Sequence, residues 1–168
     1  YFDGKVVGAY FSQGMLADEL KRVFPEIERA SGLDRSRPYT FEAGEKIDKM
    51  EGTYAGADFF SMFSYPLLQG TPSSALNTPN GIAISRKMAA HFFGKPEQAI
   101  GKTIRYESTE DLTITAVFEN MPVNSTYQFD FIRSWKAFLI QNKWAANWGN
   151  TDPFTLVQLR ADADPVKV

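Results

Sequence analysis

Apolar residues follow a helical period in only a few short stretches of this chain and alternate in several others. Over 14–24, Met15, Leu16, Leu20, Val23 and Phe24 recur at 3.6-residue spacing, with Asp18, Glu19, Lys21 and Arg22 on the other face. That spacing predicts a helix. Pro25 ends it, since an interior proline clashes with the preceding turn. Runs at 27–32, 38–42 and 46–54 read as strands, each interrupted by glycine or charge. From 57 to 70 the texture changes: Phe59, Phe60, Met62 and Phe63 crowd one short helical stretch, with Asp58 where an N-cap would stand. A segment apolar all round is expected to be buried on every side.

The most complete local pattern lies at 82–94. Ile82-Ala83-Ile84 reads as a buried strand, and Ser85 as the cap of a helix carrying Met88, Ala89, Phe92 and Phe93. Gly94 stops that helix and Pro96 prevents its continuation. Strands are expected at 101–106 and 112–119, joined by a polar turn at 107–111. In the second, Leu112, Ile114, Ala116 and Phe118 alternate with Thr113, Thr115, Val117 and Glu119. Tyr127, Phe129 and Phe131 alternate in the same way. The stretch 135–148 is expected to start as a helix with Phe138 and Leu139 inside, and 154–160 to form the last strand. This order of elements lacks a strict strand-helix-strand repeat, so the expected class is α+β rather than a doubly wound sheet.

Composition narrows the possible functions. The chain has 168 residues, 43% hydrophobic and 14% aromatic, too apolar for a disordered segment. Its net charge of -2 comes from 18 basic and 20 acidic residues, and neither half hides a strongly basic patch, so nucleic acid is not an expected partner. No apolar run approaches the ~18 residues of a membrane span. There is no cysteine, hence no thiolate chemistry, disulfide or cysteine metal site, and one histidine leaves no basis for a histidine-rich centre.

The remaining candidates read as structure. His91 lies in mid-helix beside Phe92 without partners at a metal-ligand spacing. The acidic groups Asp48, Glu51 and Asp58, or Glu107, Glu110 and Asp111, contain the carboxylates a glycosidase pair would need, yet solvated acids in turns are routine. Asn124-Ser125-Thr126 matches a glycosylation sequon and equally an ordinary turn. Gly101-Lys102-Thr103 resembles the end of a phosphate-binding loop, but Pro96 stands where that motif needs glycine and a strand follows instead of a helix. Trp135, Trp144 and Trp148 read as core, with a partner-binding surface as the competing reading. No catalytic, cofactor-binding or metal-binding residue is assigned.

Several phrases in order carry a resemblance. ADFFSMFSYPLLQG at 57–70 precedes Ala75-Leu76, Pro79, Ile82-Ala83-Ile84-Ser85, Met88-Ala89 and Phe92-Phe93-Gly94. Then come Ala99-Ile100-Gly101-Lys102-Thr103-Ile104, the strand at 112–118, Asn120-Met121-Pro122 and Asn124-Ser125, with Phe24-Pro25-Glu26-Ile27-Glu28 upstream. The chain resembles the extracytoplasmic (periplasmic) core domain of MacB/FtsX-type ABC transporter permeases. The resemblance implies a porter-like α/β lobe from 1–55 and 126–168, its last helix truncated, with a mostly β lobe inserted at 56–125. It implies one membrane span before Tyr1 and three after Val168, and apolar surface that the missing helix covers in the whole protein. It further implies a location at the inner membrane on the periplasmic side. Expected partners are a second permease copy or a paired permease and a cytoplasmic ATPase, with a periplasmic or outer-membrane component left open. The domain would need no catalytic residue or cofactor and would transmit ATP-driven movement. Two other readings stay open, a free-standing peptide- or lipid-binding module built on 135–148 and a carboxylate-dependent hydrolase.

Overall fold

The computed structural model describes residues 10–166. The first helix, α1 (Leu16–Val23), ends one residue before the Phe24-Pro25 pair and lies on β1 (Ile27–Leu33) and β9 (Phe154–Leu159). Ala17, Ile27 and Ala30 form a small buried cluster there with Leu20, Phe24 and Leu159. β2 (Arg37–Ala43) and β3 (Lys46–Ala55) make a long hairpin. Next come α2 (Phe59–Phe63), β4 (Leu67–Gln69) and α3 (Pro72–Ala75), all too short to carry a clear period in sequence. β5 (Gly81–Ser85) runs straight into α4 (Arg86–Phe93), followed by β6 (Thr103–Tyr106) and β7 (Glu110–Phe118). β8 (Phe131–Ser134) likewise runs straight into α5 (Trp135–Gln141). Mixed α and β without a regular crossover repeat is the class the sequence indicated.

The strands form one sheet whose pairing closes on itself. β2 pairs with β6, β6 with β7, β7 with β5, β5 with β8, β8 with β3, and β3 with β2. The β5–β7 and β3–β8 pairings are parallel and the other four antiparallel. A closed ring satisfies backbone donors and acceptors without leaving edges along its circumference. β1 hangs from β3, β9 from β1, and β4 pairs with β7. Inside the ring lie Phe41, Met50, Ile82, Ile84, Ile104, Leu112, Ile114 and Phe131, and Met88 and Phe92 of α4 join them from one end. A second core of Leu33, Phe59, Phe60, Leu76, Phe118 and Ile132 lies outside the ring wall.

The expected cap at Ser85 is present: its hydroxyl accepts from the Met88 N–H at 3.1 Å. Gly94 closes α4 at φ +83°, a backbone conformation that side chains with a Cβ avoid. Four expectations need correction. Asp58 does not cap α2; its carboxylate instead pairs with Lys21 and accepts from the Ala30 N–H. The aromatic stretch is buried on one side only, with Phe59 and Phe60 inside and Phe63 46% exposed. The turn expected at 107–111 is tighter, because Glu107 and Ser108 both adopt left-handed geometry and β7 pairs from Glu110. Finally, the strand expected over Tyr127, Phe129 and Phe131 starts only at Phe131. Before it, Tyr127 stacks flat on Phe129 at 5.7 Å, and Asp130 donates its N–H to the Glu51 carbonyl.

Candidate functional site

The carboxylates named from sequence do not converge. Asp48 faces His91 Nε2 at 3.3 Å on the surface. Glu51 accepts from the Ser36 hydroxyl, Glu107 accepts the Thr40 N–H, and Asp111 pairs with Arg105 at 3.0 Å. Each acid thus has its own local partner. Among the described residues no group of three or more His, Cys, Asp or Glu side chains is arranged to hold a metal. Asn124 is exposed in a turn closed by the Ser125 N–H on the Pro122 carbonyl, and Gly101-Lys102-Thr103 leads into β6 as a strand. Of the tryptophans Trp135 is core, while Trp144 and Trp148 stay 40% and 47% exposed.

The most organised polar cluster closes the ring at the end away from α4, and no sequence motif announced it. Arg133 points inward from β8 and is 1% exposed. Its Nη1 donates to Glu110 of β7 at 2.9 Å and to the Tyr54 hydroxyl of β3 at 3.3 Å. The guanidinium also lies over the Tyr106 ring at 4.4 Å and the Tyr54 ring at 5.3 Å. Removing a cation from water is costly, and here a carboxylate and two aromatic faces offset that cost together. Tyr54 donates its single hydroxyl proton to Gln141 of α5 at 2.8 Å, so at the 3.0 Å contact between the hydroxyls Tyr106 is the donor. Gln141 in turn donates to Glu110 at 3.0 Å. Burial first, and then the bond to Tyr54, push the Tyr106 phenol far above its usual range; burial also raises Tyr39 beside it. The Tyr106 phenol stays a neutral donor at any physiological pH. It helps hold the cluster together and offers no base.

The signal that could have revealed this end was a second strand-serine-helix phrase. Phe131-Ile132-Arg133-Ser134 repeats the logic of Ile82-Ala83-Ile84-Ser85, and the Ser134 hydroxyl accepts from the Lys136 N–H at 3.3 Å. Arg133 disguised it, since a charge there reads as the end of a strand.

A polar cleft of about 380 Å³ opens at the start of α4, between Glu51, Lys87, Asn120, Gln128, Phe129 and Asp130. Lys87 reaches Asp130 at 3.3 Å across it, and the Lys87 N–H is held by the Asn120 side chain at 2.9 Å. The arrangement can bind polar groups, but it pairs no nucleophile with a base.

Together these features define a closed strand ring with appended helices and a buried, paired charge at one end. Residues 5–168 match the family described as the MacB-like periplasmic core domain, and the chain belongs to that family, the periplasmic domain of ABC transporter permeases. Among solved structures it is similar to a domain of a putative permease protein from Porphyromonas gingivalis (25% identity, TM-score 0.78, covering 95% of this chain and 73% of that one). The periplasmic region of MacB from Actinobacillus actinomycetemcomitans shares the fold at 12% identity and TM-score 0.66, over 93% of this chain and 68% of that one. So does the extracellular domain of the noncanonic ABC-type transporter YknZ from Gram-positive bacteria, at 13% identity and TM-score 0.62, over 92% and 76%. No curated protein matches the chain. No helix among the described residues is long and apolar enough to cross a membrane.

Proposed function

We propose that this domain is a non-catalytic part of an ABC permease that carries ATP-driven conformational change across the membrane, to move or release a substrate or partner on the periplasmic side. The observation that supports this reading is the closed strand ring with its filled interior: close-packed cores deform little, so a displacement applied at one point is passed on rather than absorbed. In this reading ATP is hydrolysed by a separate cytoplasmic subunit or domain, reached through membrane helices flanking the chain in the inner membrane. A second permease copy or a paired permease stands beside it, and a periplasmic or outer-membrane component completes the assembly where one exists. The lobes at 1–55 with 126–168 and at 56–125 belong to the same proposal: β8 and β9 return beside β3 and β1, and the β2–β6 and β5–β8 pairings join the two lobes in one ring.

The test uses the full-length permease with its ATPase. This domain has no cysteine, so Gln98→Cys on its exposed surface introduces a single label position here. Spin labels on the two periplasmic domains should change separation when ATP binds. Phe92→Ala, which removes a buried ring at a cost of about 3–5 kcal/mol, should broaden and shrink that change while ATP still binds. An unchanged label distance through the ATP cycle in the parent protein would sink the reading.

A further inference from the structure

A continuous line of contacts runs from the segment that precedes α1 to the charged end of the strand ring, and all of it passes through α5. The Trp135 indole N–H donates to the Gly14 carbonyl at 3.0 Å, in a buried bond between residues far apart in sequence. Ala145, just beyond α5, sits so close to Gly14 that a Cβ there would meet the Ala145 carbonyl oxygen at 2.6 Å. The Trp135 ring stacks on Phe138 at 4.4 Å, and Phe138 packs on Tyr54 at 5.7 Å. At the other end of the helix Gln141 joins the Tyr54 hydroxyl to Glu110, and these two hold Arg133. α5 spans seven residues, buries Trp135, Ala137 and Phe138 against the rest of the molecule, and leaves Ile140 exposed.

We propose that α5 is the coupling element of this domain: movement of the segment at Gly14 reaches the ring through Trp135 and α5, and is received by the Arg133–Glu110–Tyr54–Gln141 cluster. The inference deepens the mechanical reading above and rests on it for its purpose, though the coupling itself is a property of this chain alone. A single charged pair suits this role. Among the described residues Arg133 has one carboxylate partner and a buried Nε–H that donates to no acceptor, so a small shift of Gln141 or Glu110 changes its surroundings sharply. The two ends of α5 then have linked stabilities, and thermodynamic linkage requires that the effect run both ways.

The experiment is nuclear magnetic resonance on this chain, with no membrane or nucleotide. Trp135→Phe keeps the ring packing and deletes the donor to Gly14; Gln141→Met keeps the helix and deletes the bonds to Tyr54 and Glu110. With Trp135→Phe the Arg133 Nε–H should exchange with solvent at least about fivefold faster, while amides of Met88, Ala89 and Phe92 at the opposite end keep their rates. With Gln141→Met the Trp135 indole N–H should speed up by a similar factor. An unmoved Arg133 Nε–H, an unmoved indole N–H in the reciprocal variant, or equal acceleration at Met88, Ala89 and Phe92 would each overturn the coupling. Because no ATP is involved, that failure is distinct from failure of the transporter test.

Discussion

Asp34 shows how far a single side chain can depart from its sequence setting. It stands in Leu33-Asp34-Arg35-Ser36-Arg37, a stretch that looks like solvated turn, yet only 4% of it is exposed. Its Oδ1 accepts no hydrogen bond, and the nearest cation, Arg37, is 3.6 Å away. Burial raises the Asp34 carboxyl above the usual carboxylate range, and the Arg35 N–H and Arg37 only partly counter it. A raised acid binds its proton more tightly in the folded chain than in the unfolded one. Stability therefore falls as pH rises from the ordinary carboxylate range through the raised value, and the penalty persists at neutral pH. Asp34→Asn should melt higher than the parent at pH 7, and the gain should vanish as pH drops below about 3.9. Thermal melts across that range decide it; a variant less stable at pH 7, or a gain independent of pH, contradicts the account. Residue roles were legible where one local pattern contained cause and effect, as at Ser85. They were hidden at Asp34 and Arg133, because burial depends on partners such as Glu110 that only folding brings near.

Among elements, α5 depends on a close approach that no period reveals. A Cβ on Gly32 in β1 would lie 2.3 Å from the Trp135 ring, so the strand can pass beneath the indole only if that position has no side chain. Gly32→Ala should destabilise the chain by about 1–3 kcal/mol, the usual cost of forcing an extra methyl into a filled core. Chemical denaturation measures it, and an unchanged midpoint would show that the indole has room to move. Helices α1 and α4 and the long strands could be read from spacing because each carries its own amphipathic pattern. β4 and α3 have three and four residues, too few for any period to register. The β6–β7 turn places Glu107 and Ser108 at positive φ, where glycine or asparagine would have advertised it. The Glu107 carboxylate offsets that conformation by taking the Thr40 N–H.

Across the whole molecule, protection should follow the ring. β5 is buried along its full length between β7 and β8, whereas β9 is only partly buried and among the described strands pairs with β1 alone. Native-state hydrogen exchange should find β5, β7 and β8 slowest and β9 fastest among strands. Equal protection of β9 would mean its far side is covered in solution. The fold class was legible from the order of elements, but circular closure was not, because it rests on pairings such as β2 with β6 and β3 with β8 that join distant parts of the chain. Four residues, Phe131 to Ser134, act as the keystone, seated between β3 on one side and β5 on the other. Until Phe131 to Ser134 are made, β3 and β5 are therefore two raw sheet margins with nothing to bridge them. The arch can lock only when this late, short piece arrives, which makes folding non-local and slow to commit.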